Sequence, residues 1–141
     1  MTASSGGEYL HRREFTLPGD PNAIPPVVDA ILAFLREINC HAEEEPAIAL
    51  ALQEALSNAV VHGCRKDPSK TVFCSAACDL NGALVIVIRD PGPGFDSTRV
   101  RDPLTTEGLA DDHGRGIHLM RNLMDEVRFE DNGKQVTLKK F

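Results

Sequence analysis

The sequence has no tryptophan, one tyrosine and no cluster of lysines or arginines, and its formal charge is −6 with a pI near 5.3. It therefore lacks both the broad positive field and the aromatic ladder on which a general nucleic-acid surface is built. Cysteine is sparse: Cys40, Cys64, Cys74 and Cys78 include no C-x-x-C pair. On a strand, Cys74 and Cys78 stand about 13 Å apart, well beyond the ~7 Å that a disulfide can bridge. The four are expected as reduced thiols, which argues against a zinc site or a disulfide framework. No run of residues approaches the length of a membrane span, and residues 1–7 are small and polar with no apolar stretch of a signal peptide. The expectation is a cytoplasmic protein with no direct nucleic-acid or membrane contact.

What is present suffices for one ordinary core. With 141 residues, 42% hydrophobic and 26% charged, the chain predicts a single domain over 1–141, with residues 1–7 flexible. Residues 9–17 mix apolar and charged side chains and end at Pro18-Gly-Asp, which predicts a strand and a turn. Asp20 or Asn22 can cap a helix with Pro25 and Pro26 in its first turn, its apolar positions running at helical spacing to Ile38. A second helix is expected to begin near residues 43–46, where acids suit the positive dipole end, and to stop at His62-Gly63 with glycine as its cap. Strands at 71–79 and 83–90 flank Asn81-Gly82, and a last hairpin over 126–140 turns at Asp131-Asn-Gly133. Between them lie a long loop from Pro91 to His113 and a third helix over about 116–124. Two helices before a run of hairpin-linked strands exclude the alternation of a doubly wound sheet. The fold class expected is α+β, a two-layer sandwich with a mixed, mainly antiparallel sheet and helices on one face.

Three segments carry chemistry. Residues 47–62 are almost wholly apolar, yet Gln53, Glu54, Ser57, Asn58 and His62 form a polar stripe when projected at 3.6 residues per turn. Burying an unpaired carboxylate costs several kcal/mol, so Glu54 needs a cation, donors or water beside it. A solvated surface face is the alternative. Asp90 ends the most apolar strand and precedes Pro91-Gly-Pro-Gly94, where glycine permits close approach of a ligand and a carboxylate can accept from an exocyclic amine; the alternative is an ordinary turn. Gly114-Arg115-Gly116, read as directly preceding the third helix, places free N–H groups and the positive dipole end where phosphate oxygens could sit. Simple loop flexibility is the alternative there. The Gly-Lys-Ser/Thr of a Walker A loop is absent.

In this order and spacing the three segments resemble the N box and two glycine boxes of the GHKL (Bergerat-fold) ATP-binding superfamily, and within it the bacterial anti-sigma-factor serine/threonine protein kinases. The resemblance spans residues 8–141, with Leu52-Gln-Glu-Ala-Leu-Ser-Asn-Ala-Val-Val-His-Gly63 as the N box. It implies ATP and Mg²⁺ as ligands, Asn58 as the Mg²⁺ ligand and Glu54 as the catalytic base. It further implies Asp90 on the adenine amine, Gly92 and Gly94 shaping the adenine and ribose wall, and Thr137 completing the adenine pocket. The amides of Gly114, Arg115, Gly116 and Ile117 would cradle the phosphates, beneath an ATP lid over 96–113. The implied function is a kinase that phosphorylates an anti-anti-sigma antagonist and sequesters a sigma factor, as a homodimer using its first helix region for partner contact. Alternatives are a non-catalytic ATP-dependent switch and an isolated histidine-kinase ATP-binding domain. His41 and Pro46 are spaced as in the phosphoacceptor box of histidine kinases, but Ala42 stands where that box has an acid, so His41 reads as a helix-entry residue.

Overall fold

The structure, a computed structural model, describes residues 9–93 and 112–141, with side chains from residue 115 onward in the second stretch. Gly94 and residues 96–111 of the expected lid lie outside the described residues. The elements are β1 (Tyr9–Pro18), a 3₁₀ turn (Pro21–Ala23), α1 (Ile24–Glu37), α2 (Glu45–Ser57), β2 (Thr71–Asp79), β3 (Leu84–Arg89), α3 (Asp112–Leu123), β4 (Glu126–Glu130) and β5 (Gln135–Lys140). A six-residue π-helix, Asn58–Gly63, continues α2 without a break.

The strands form one sheet in the order β1-β2-β3-β5-β4, and every pairing is antiparallel. Strand alternation sends Leu17, Val72, Cys74, Ala76, Leu84, Ile86, Ile88, Val136 and Leu138 into the same core as the apolar stripes of the three helices. The expected two-layer α+β sandwich is thus the observed one, and among the described residues its sheet is antiparallel throughout. All four cysteines are free and buried. Burial pushes the thiols of Cys40 and Cys74 up to about 12, so both are neutral core groups.

Turn chemistry follows the sequence. Asp79 Oδ1 accepts from the amides of Asn81 at 2.8 Å and Ala83 at 2.9 Å while Gly82 takes φ +83°, closing the β2–β3 hairpin. Asp131, Asn132 and Gly133 are all left-handed at the β4–β5 turn. Asp20 accepts from Asn22 N at 3.0 Å and caps the 3₁₀ turn, so α1 begins four residues later than its cap. His41, also left-handed, bonds Gly82 O through Nε2 at 3.0 Å, tying the entry of α2 to that hairpin. Lys140 Nζ donates to Leu123 O at 2.8 Å and stands 3.1 Å from Glu44 Oε2, joining the end of α3 to the start of α2. No helix among the described residues is long and apolar enough to cross a membrane.

Candidate functional site

The polar stripe of α2 faces α3. Glu54, Ser57 and Asn58 are half-buried, whereas Gln53 and His62 are exposed. A Cβ added at Gly116 would stand 3.1 Å from Glu54 Oε2 and 3.5 Å from Asn58 Oδ1. Glycine at 116 thus leaves the Glu54 carboxylate where it is, beside the start of α3; a methyl group there would ask that carboxylate to give by a few tenths of an ångström and would meet Asn58 at ordinary contact distance. Asn58 Nδ2 is buried and has no hydrogen-bond partner among the described residues. Such a group costs about 1–3 kcal/mol, and the two amide atoms can exchange places by a flip. The polarity of Asn58 is left unexplained by folding and fits a residue kept for a ligand, including the oxygen that Mg²⁺ requires.

Next to this stripe is a cavity of about 230 Å³, lined by Asn58, His62, Gly63, Ile88, Asp90 and Met120 among others. Pockets enclosing whole drug-sized ligands run to about 300–1,000 Å³, so this one is sized for a flat base with the rest of the molecule outside. Its remaining wall is apolar, from Ala55, Ala59, Phe129 and Val136, with Arg65 and Lys134 also lining it. The base-sized space thus has one acidic corner at Asp90.

Asp90 is held there by two glycines. A Cβ at Gly63 would be 2.3 Å from Asp90 Cγ, and one at Gly92 would be 2.3 Å from Gly63 O. Gly92 N donates to Asp90 Oδ1 at 2.8 Å, and among the described residues Oδ2 is left as an acceptor. Burial raises the Asp90 carboxyl above its ordinary value of 3.8, against the Gly92 amide and the charges of Arg89 and Lys134, which lower it. A carboxylate kept in a partly desolvated corner accepts strongly from a ligand amine.

Several expectations change in this geometry. Gly63 does not cap α2 in a left-handed conformation; Arg65 and Lys66 take the positive φ values, 53° and 58°, and Gly63 is there for the approach to Asp90. The helix does not end at a cap but widens, with Cys64 N bonded to Ala59 O five residues back at 2.8 Å. Helix α3 is already formed at Asp112, not at about 116, its acidic first residue suiting the dipole. Gly114 therefore lies in the first turn, where amides lack helical partners, while the amides of Arg115, Gly116 and Ile117 fall within the ladder. The side chain of Ile117 is buried in the core. Residues 112 and 113, expected in the lid, are helical.

Thr137 is not brought to the cavity. It pairs with Val87, a position whose side chain points away from the helices, and its Oγ1 donates to Glu130 Oε1 at 3.3 Å. Strand parity is the reason: Val136 and Leu138 take the core face, so Thr137 takes the other. Met120, Phe129 and Lys134 line the cavity and were not singled out from the sequence; their place follows from the β3–β5 pairing and the packing of α3, which single-sequence periodicity does not contain.

Comparison with known proteins agrees with this geometry. Residues 17–140 match the histidine kinase-like ATPase domain. An anti-sigma F factor of Geobacillus thermodenitrificans (strain NG80-2) is 34% identical over 115 residues, covering 78% of each chain. Anti-sigma F factors of Heyndrickxia coagulans and Priestia megaterium are 31% and 30% identical over the same length and coverage.

Proposed function

The chain belongs to the histidine kinase-like ATPase domain family, and on that premise we propose that it is an ATP-dependent serine/threonine protein kinase acting as an anti-sigma factor. Its substrates are ATP and a seryl or threonyl hydroxyl of an anti-anti-sigma antagonist protein, and its other partner is a sigma factor. The chain works as a homodimer.

The observation that carries this reading is the apposition of Glu54 and Asn58 with Gly116, beside the cavity whose acidic corner is Asp90. Asp90 accepts from the exocyclic amine of adenine, with Gly63 and Gly92 keeping the carboxylate in place. The free amide of Gly114, in the first turn of α3, faces the phosphates. Asn58 would hold Mg²⁺ through its amide oxygen, and the ion would supply neutralisation of phosphate charge. Glu54, one turn from Asn58, takes the proton of the attacking hydroxyl as that oxygen bonds to the γ-phosphorus and the bond to the ADP oxygen breaks. The relatives' names, anti-sigma F factor, favour the partner assignment.

Incubation with labelled ATP and candidate antagonist proteins, scored for phosphoserine and phosphothreonine, is the test. Transfer by the parent chain and its loss in Glu54→Gln supports the kinase. ATP binding without transfer to any antagonist that the chain binds instead selects the non-catalytic switch.

A further inference from the structure

Cys40 and Cys78 are far apart in the chain and meet in the fold. Cys40 follows α1, Cys78 is the last core-facing residue of β2, and both belong to the core cluster. The Cys40 thiol donates a hydrogen bond to the Cys78 sulfur, and Cys78 Sγ in turn donates to Asp79 O at 3.8 Å. Backbone contacts hold the two segments in place. His41 Nε2 bonds Gly82 O at 3.0 Å, next to Cys40 on one side and just beyond Cys78 on the other, and Cys40 N donates to Leu35 O at 2.9 Å.

The other two cysteines are placed differently. Burial acts on Cys74, and burial, Asp90, Lys70 and Asp67 act on Cys64, with no second cysteine among these groups. A free cysteine packs as a small hydrophobe, and that accounts for Cys64 and Cys74. At Cys40 and Cys78 the contact of two sulfurs adds chemistry that packing does not require. The pair also stands clear of the nucleotide cavity: Glu54 lies ten residues along the helix from Glu44, about 15 Å away.

We propose that Cys40 and Cys78 are a site of reversible oxidation, at which a hydroperoxide closes an intramolecular disulfide that fastens the α1–α2 junction to the end of β2. Cys78 reacts first. It is the more exposed of the two, at 9% against 3%, and it stands at a strand end beside a hairpin whose Leu80 is open to solvent. Strand ends open locally at far lower cost than the sheet as a whole. The Cys78 sulfur attacks one peroxide oxygen, the O–O bond breaks, and the thiol proton leaves with the departing oxygen as water, giving a sulfenic acid. The Cys40 sulfur then attacks the Cys78 sulfur. The S–S bond forms, the S–O bond breaks, and the Cys40 proton leaves with the hydroxide as a second water. Two thiols give up two electrons and two protons, and one hydrogen peroxide takes them up.

Burial sets the pace. The thiolate is the reacting form, and burial, followed by the hydrogen bond to Cys78, pushes the Cys40 thiol up to about 12. The reaction is therefore slow and follows the opening of the β2 end. Its product is a covalent tie across a tight junction, where Asn39 and His41 on either side of Cys40 are both left-handed. The closed loop runs from residue 40 to residue 78 and takes in all of α2, so it restricts the unfolded chain strongly.

Peptide mapping of the full chain tests this directly: folded protein is exposed to hydrogen peroxide, its remaining thiols are alkylated, and it is digested without reductant for mass spectrometry. The expected product joins the peptides of Cys40 and Cys78, lighter by two hydrogens, while Cys64 and Cys74 are alkylated. Its melting temperature is expected to rise on the order of 10 °C, and a dithiol reductant should restore both the four free thiols and the original melt. Cys40→Ala and Cys78→Ala should each abolish the link and the rise, and Cys74→Ala should keep both. The map of the parent chain decides the matter even if a variant fails to fold. Four alkylated thiols after peroxide treatment overturn the proposal, as do a link through Cys64 or Cys74, sulfinic acid at Cys78 with Cys40 still alkylated, or a linked chain that melts no higher. ATP affinity is expected to be the same in the linked and reduced chains, and a chain that forms the link but binds no ATP counts against the kinase reading alone.

Discussion

At Asp90, folding and binding pull in opposite directions. Desolvation raises its carboxyl above the ordinary 3.8, so in the window between 3.8 and the raised value the folded chain holds more protons than the unfolded one. Stability contributed by this group therefore falls as pH rises through that window, and the cost is fully present above the raised value. Asp90→Asn keeps an acceptor for the Gly92 amide and removes the buried charge. The expected outcome is an equal or higher melting temperature at neutral pH together with a loss of ATP affinity of tenfold or more, read by thermal melts and isothermal titration. A lower melting temperature would mean that Asp90 serves the fold. Glu54 is expected to behave differently: Glu54→Ala should lower phosphotransfer by about 10² or more while ATP affinity changes little. Unchanged transfer would remove it as the base. Asn58→Ala should weaken binding of Mg-ATP and abolish its dependence on Mg²⁺, and equal affinity with and without Mg²⁺ in the parent chain would argue against metal coordination there.

Among the elements, α2 and α3 meet at a glycine whose role is spatial. Gly116 lies inside a helix, where alanine is better by about 0.5–1 kcal/mol. Yet its Cβ would stand 3.1 Å from Glu54 Oε2, the movable end of a side chain. Gly116→Ala should therefore leave stability the same or slightly raised while displacing the Glu54 carboxylate, so that phosphotransfer falls and melting does not. At Gly63 the contact is far closer, 2.3 Å from Asp90 Cγ, and Gly92 opposes Gly63 from the other side. Gly63→Ala is expected to lower the melting temperature and ATP affinity together, because the β3 end and the π-helix must separate to admit one methyl group. Circular dichroism melts of the two variants side by side check the contrast.

On the scale of the molecule, a ligand that binds only the folded chain stabilises it by mass action. Mg-ATP at about 100 times its Kd should contribute about 2.7 kcal/mol, visible as a rise in melting temperature that Asp90→Asn suppresses. The sequence by itself determined the elements and their chemistry: the helical spacing of α1, the Asn-Gly turns, the bounds of β2 and the polar stripe interrupting an apolar helix are local patterns, set by 3.6- and 2-residue periodicities and by turn residues. Glu54, Asn58 and Asp90 were visible because each departs from the pattern around it. The tertiary structure alone decided which residues meet. That Gly63 yields to Asp90, and that Gly116 lies beside Glu54, depends on the approach of elements distant in sequence. Steric contact between segments far apart in the chain has no period and leaves no local trace, which is why the glycines could be found in the sequence but their reasons could not.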